Sequence, residues 1–131
     1  MRRGQAAIES ALVIFVLVVI LTGTLDFGQY LYFHQSLAER ARAAARYGAV
    51  NPADRTGILN VALYDNPSGG AAPVVANLDG SMVAVCVPGD KACSDRVTVT
   101  ISGYRMATFN LVIPRSFTNR PITVSLPSET P

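Results

Sequence analysis

From Ser10 to Leu25 the chain carries no charge: Ser-Ala-Leu-Val-Ile-Phe-Val-Leu-Val-Val-Ile-Leu-Thr-Gly-Thr-Leu. Glu9 bounds this run on one side and Asp26 on the other. As a helix the run rises about 24 Å, short of a hydrocarbon core of about 30 Å. Counting from Gln5 lengthens it to about 31 Å, but draws Glu9 roughly one turn inside the membrane edge. The run also absorbs much of the composition: half of the 131 residues are hydrophobic and only 15% are charged. That excess lies mostly before residue 26, so it implies a membrane segment rather than a large core. What remains is enough for one small domain. A net charge of +2 and the lack of a basic surface interleaved with aromatics argue against nucleic acid as a partner.

The residues admit three readings of this segment. A conventional signal peptide would use Arg2 and Arg3 as its basic end. Glu9 and the lack of a small-x-small site near Thr24 speak against it, and Ala41-Arg42-Ala43 lies too far downstream. A plain single-span anchor would let Glu9 snorkel to the headgroups. The third reading rests on a resemblance and accounts for Glu9 directly.

The residues for the third reading are Arg2-Arg3-Gly4-Gln5-Ala6-Ala7-Ile8-Glu9, followed at once by the apolar run. They resemble a type IV prepilin signal. The resemblance implies a leader of residues 1–4, a cut by a prepilin peptidase between Gly4 and Gln5, and Glu9 as the fifth mature residue. It also implies that Glu9 neutralises the new amine of a neighbouring subunit when helices bundle away from water. An unpaired charge there would be costly. The stretch from Gly4 to about Ala49 further resembles the TadE-like family. It has the Gly-x-x-x-x-Glu start, Ala-Leu-Val at Ala11 to Val13, and the Asp26-Phe27-Gly28 step. The aromatic stretch Tyr30 to Gln35 and the Ala/Arg-rich close Ala38 to Ala49 complete the match. TadE-like proteins are pseudopilins or minor pilins of tight-adherence (Flp-type) pili and related secretion machines. Major Flp pilins usually carry a tyrosine directly after the glutamate. Ser10 stands there in this chain, which favours a minor component.

Nothing in the sequence stops a helix at Asp26, because the first proline is Pro52. Gly23, Gly28 and Gly48 each weaken a helix by about 1 kcal/mol without forbidding it. Tyr30, Phe33, Leu37, Ala41, Ala44 and Gly48 recur at spacings of three or four, which defines one face. That face is expected to pack against the rest of the chain. Glu39, Arg42 and Arg46 define another, and with Arg40 they read as a solvated surface. Ala41 with Ala45, and Ala44 with Gly48, form small-x-x-x-small pairs that could seat neighbouring helices. Gly48 and then Asn51-Pro52 supply the stop. The expected helix is 5–50, with a membrane-spanning part at about 5–25 and an exported part at about 26–50. Basic residues flank both ends of the span, so charge alone does not orient it.

Residues 51–131 are expected to form an exported β-rich head without a recognised motif. Gly57 to Tyr64 reads as a short helix with Ile58, Val61 and Leu63 inward, and Asn66 to Gly70 as a loop. Ser81 to Val87 and Arg96 to Ser102 read as strands, the second alternating Val97, Val99 and Ile101 with Thr98, Thr100 and Ser102. Phe109 to Ile113 and Ile122 to Leu126 are shorter strand candidates bounded by Pro114 and Pro121. Cys86 and Cys93 flank a Pro88-Gly89-Asp90-Lys91 turn and read as a disulfide stapling a hairpin, as suits an exported domain. His34 is far from both cysteines in sequence, and Asp79, Asp90 and Asp95 lack calcium-loop spacing, so no metal site is expected. No nucleophile, base or phosphate-cradle motif is present, and the expectation is a structural protein without cofactor, not an enzyme. The expected fold class is α+β and pilin-like, with a small antiparallel sheet on a long helix. The expected location is a bacterial inner membrane, single-pass with the head exported. Expected partners are a prepilin peptidase, other pilins, an inner-membrane assembly platform and the lipid bilayer. The alternative is a single-span, membrane-anchored periplasmic assembly or binding protein that does not enter a filament.

Overall fold

A computed structural model describes residues 2–91, 93, 95–106, 117–118 and 120–129. The expected strand at Phe109 to Ile113 lies outside them. The helix α1 runs unbroken over Arg2–Val50, 49 residues or about 74 Å. Gly23 and Gly28 face open space, so neither marks a tight contact. Within the apolar run, Thr22 and Thr24 donate their hydroxyls to the carbonyls of Val18 and Ile20 at 2.8 and 2.9 Å. This back-bonding leaves little for an apolar solvent to penalise. The helix ends where Asn51 precedes Pro52, because a residue before proline is driven out of the helical region. The Glu129 amide then donates to the Ala49 carbonyl at 2.9 Å, supplying a partner to one carbonyl at the end of the helix.

The head is built on the second half of α1. Helix α2 (Arg55–Tyr64) packs beside it, followed by a 3-10 turn at Gly80–Met82. Strands β1 (Val83–Cys86), β2 (Arg96–Ile101) and β5 (Ile122–Pro127) form an antiparallel sheet in the order β1-β2-β5. Val83 pairs with Ile101 and Cys86 with Thr98, while Val97 pairs with Leu126 and Ile101 with Ile122. Two short strands, β3 (Arg105–Met106) and β4 (Phe117–Thr118), pair antiparallel apart from it. The architecture is the α+β, pilin-like layout expected from the sequence.

The alternation read in β2 governs the packing. Val97 and Val99 are fully buried and Ile101 nearly so, and they join Leu37, Ala41, Ala44, Ile58 and Ala62 in one core. On the other face, Thr98 and Ser125, and Thr100 and Thr123, are joined through their hydroxyls at 3.1 and 3.2 Å. The helical stripe from Tyr30 to Gly48 faces the core as read. Fully burying side chains of the Leu37, Ile58 and Val97 class contributes roughly 1.5–3 kcal/mol each, so the stripe is the main anchor of the head.

Three expectations are corrected. Gly48 does not stop the helix; it is buried, and a Cβ there would lie 2.7 Å from Val97 Cγ1 and 2.9 Å from Ile58 Cδ1. Close approach of α1 to both β2 and α2 requires a glycine at that point. Ala41, Ala44 and Ala45 are fully buried in the same interface, so the small-x-x-x-small pairs serve this chain's own packing and not a neighbour's. Arg40 is not on the solvated face with Arg42 and Arg46. It is half-buried and pairs with Asp65 at 2.6 Å. Cys93 lies three residues before β2, in the loop that joins it to β1.

Candidate functional site

Two regions carry the residues singled out by sequence. The first is the free half of α1. Gly4, Gln5 and Glu9 are exposed on its first turns, and no atom of the head lies near Gly4. Gln5 and Glu9 are four residues apart and so share one face, about 6 Å apart along the axis. The helix thus holds Glu9 one turn from the amine that a cut after Gly4 would create. Ser10 donates to the Ala6 carbonyl at 2.9 Å, which occupies its hydroxyl within the helix. From Leu12 to Leu25 the large apolar side chains other than Val19 stand outward, for example Phe15 at 66% and Ile20 at 60% exposure. Gly4–Val50 contains a helix long and apolar enough to cross a membrane.

The second region is the loop between β1 and β2. Cys86 and Cys93 form a disulfide, with Cα atoms 6.1 Å apart. Within the ring, the Asp90 amide donates to the Val87 carbonyl at 3.2 Å, and Gly89 sits at φ +100°. Pro88 followed by a positive-φ glycine is the pattern of a type II turn. Asp90 accepts from Arg55 at the start of α2, so the loop is tied to the helix layer as well as to itself. Asp79 caps the 3-10 turn, and the Asp95 carbonyl accepts from the Ser128 amide at 3.2 Å. Asp79 and Asp90 therefore act through their carboxylates in a cap and a turn, and Asp95 accepts through its backbone. Among the described residues no three His, Cys, Asp or Glu side chains are grouped to hold a metal ion. His34 is half-buried beside Tyr30, their ring centroids 6.1 Å apart.

Sequence reading missed the contacts that fix the head on α1. Tyr47 donates its hydroxyl to Asp54 at 2.8 Å, and Asp54 accepts from the Gly57 amide at 2.8 Å as the N-cap of α2. These two hydrogen bonds hold the Asp54 carboxyl below its ordinary value, the Gly57 amide contributing more. The same bond raises the Tyr47 phenol above its ordinary value. A side chain at Gly57 would overlap the Asp54 carboxylate. At the other end of α2, Asp65 caps in the left-handed region at φ 59° and pairs with Arg40. Arg40 and Tyr47 are seven residues apart, two turns of α1, so α2 lies antiparallel to α1 and is tied to it at both ends. The N-cap signal was present in Asn51-Pro52-Ala53-Asp54; the Arg40–Asp65 pair had no local signal.

The geometry defines a class: a helix able to span a membrane, free in its first half and carrying a small disulfide-closed α+β head on its second. The family model described as TadE-like protein matches residues 4–46, the helix up to the last turn before its end. No curated protein and no solved structure matches the chain.

Proposed function

We propose that the chain is a minor pilin or pseudopilin, a structural component of a Flp-type (tight-adherence) pilus or allied secretion apparatus. The observation that carries this reading is the unbroken α1, whose free first half presents Gly4, Gln5 and Glu9 within the segment that matches the TadE-like family. A prepilin peptidase cuts between Gly4 and Gln5 on the cytoplasmic side of the inner membrane. The hydrophobic helix stays attached, and the head, where the Cys86–Cys93 bond can persist, is exported. Assembly then proceeds by packing of the free half of α1 against other pilins on an inner-membrane platform, with Glu9 neutralising a neighbour's Gln5 amine.

Co-expression with the cognate peptidase tests this. The expected product starts at Gln5 and remains in the membrane fraction. An intact Met1 in the presence of active peptidase, or a start beyond Thr24, would overturn it. Glu9→Gln separates the assembly role from simple anchoring. It is expected to be cut and inserted normally, because cutting depends on Gly4, yet to lose crosslinking to the other pilins. Leaving one member of a desolvated charge pair alone costs about 3–5 kcal/mol. Normal recruitment of Glu9→Gln would favour a membrane-anchored protein that stays outside the filament.

A further inference from the structure

The stripe that faces the head begins one turn earlier than Tyr30. Asp26, Tyr30, Phe33 and Leu37 follow at spacings of four, three and four, and Asp26 is only 2% exposed. Asp26 is the only Asp, Glu, Lys or Arg between Glu9 and Glu39. The fold covers it, so the charge that ends the apolar run in sequence does not end it on the helix surface. What stands outward on either side is uncharged and mostly apolar or aromatic: Leu25 at 64%, Phe27 at 61%, Leu31 at 43% and Tyr32 at 68% exposure, with Thr24 and Gln29 as the exposed polar side chains beside them.

We propose that the hydrocarbon of the bilayer reaches to about Gly28, that Gln29 to His34 lie in the headgroup layer, and that the head therefore rests against the lipid surface. Ser10 to Gly28 rises about 28 Å, close to the hydrocarbon thickness of about 30 Å. This register leaves Glu9 at the opposite edge, whereas a span ending at Leu25 must draw Glu9 inside. Tyr30, Tyr32 and His34 have an apolar body and a polar tip, which favours the interface. Exposed charge resumes at Glu39 and Arg42, Glu39 standing about 16 Å beyond Gly28. On the head, Val74 is 57% exposed and borders a groove that Tyr32 and Phe33 share with Ser36, Glu39 and Arg40, so the aromatic turn of the helix and the first charges beyond it meet the head at one place.

Lipid fits this surface better than a partner helix does. Positions 25, 27, 31 and 32 spread over about 160° of the helix circumference. A docked helix covers a narrow stripe, whereas lipid surrounds whatever the head leaves open. The patch is also continuous with the apolar span. This inference rests on the membrane-anchored part of the proposed function, not on filament entry.

The chain contains no tryptophan, so a single introduced one reports its own depth. Leu17→Trp, Phe27→Trp, Tyr32→Trp and Arg42→Trp are prepared in the full chain. Each is reconstituted in phosphatidylethanolamine–phosphatidylglycerol vesicles with lipids brominated near the headgroup or near the chain end. The expected result is loss of Leu17→Trp emission to the deep bromines and of Phe27→Trp emission to the shallow ones. Tyr32→Trp should lose emission to the shallow bromines while staying shielded from aqueous iodide. Arg42→Trp should be quenched by iodide alone. If Tyr32→Trp is as open to iodide as Arg42→Trp while Leu17→Trp remains deep, the boundary lies at Asp26 and the proposal falls, with the membrane anchor intact. Shielding of Tyr32→Trp from iodide without quenching by either lipid also overturns it and assigns the patch to protein contact. Absence of lipid quenching at Leu17→Trp overturns both the proposal and the anchor.

Discussion

At the scale of single residues, Gly48 and Gly28 make opposite demands. A methyl group at Gly48 would press on Val97 and Ile58, both in the core, and overpacking of this kind costs about 1–3 kcal/mol. The gain in helix propensity, about 1 kcal/mol, does not offset the upper part of that range. Gly48→Ala is therefore expected to lower the Tm of the head, while Gly28→Ala, in open space, leaves it unchanged or raises it. Thermal melts of the two variants side by side check this. Tyr47 and Asp54 set a pH window. The depressed Asp54 carboxyl contributes stability above its ordinary value of 3.8 that is lost as pH falls through the lower folded value. The raised Tyr47 phenol contributes below its ordinary value of 10.0 and loses that contribution as pH rises through the higher folded value. Tyr47→Phe is expected to flatten the alkaline limb of a stability profile and weaken the acid limb without removing it, because the Gly57 amide still binds Asp54. A urea midpoint series across pH measures both. These contacts were only partly legible. Asp54 is a regular N-cap signal before a short helix, but its link to Tyr47 depends on how α2 folds back.

Among elements, α2 is held by acids at its two ends, Asp54 on Tyr47 and Asp65 on Arg40. Arg40 is mostly buried at 18% side-chain exposure while Asp65 is 55% exposed, so solvent screens the pair substantially. A double-mutant cycle of Arg40→Ala and Asp65→Ala is expected to give a coupling of about 0.2–1 kcal/mol, read from urea denaturation. The loop between β1 and β2 depends on its covalent closure. Replacing Cys86 and Cys93 by serine is expected to cost about 2–3 kcal/mol, since the ring is short, with the loss measured against the oxidised chain. The sequence was most legible where one period dominates. Val97, Val99 and Ile101 alternate cleanly, and Tyr30 to Gly48 keep the helical period, so both buried faces could be read off. It was least legible where a residue's local chemistry and its tertiary role diverge. Gly48 looks like a terminator and is a notch; Arg40 looks solvated and is turned inward by an acid 25 positions away; Asp26 looks like a membrane boundary and is covered.

For the whole molecule, the core among the described residues is shared between the head and α1. Ile58, Val97, Val99 and Ile101 close against Leu37, Ala41, Ala44 and Ala45 of α1. A fragment of residues 51–129 is therefore expected to lack cooperative unfolding and to aggregate, whereas a fragment beginning at Asp26 keeps the stripe and folds. Size-exclusion chromatography with near-UV circular dichroism distinguishes them. The same arrangement has a mechanical consequence. The helix passes from its first turn to its last without a break, and α2 and the sheet lie alongside it. A pull applied between the two ends of α1 runs through its own backbone ladder, in parallel with the head rather than in series. Stretching would first extend the first turns of α1, where the large side chains stand outward, and the disulfide-closed head would travel as unstrained cargo on the part of the helix it clasps.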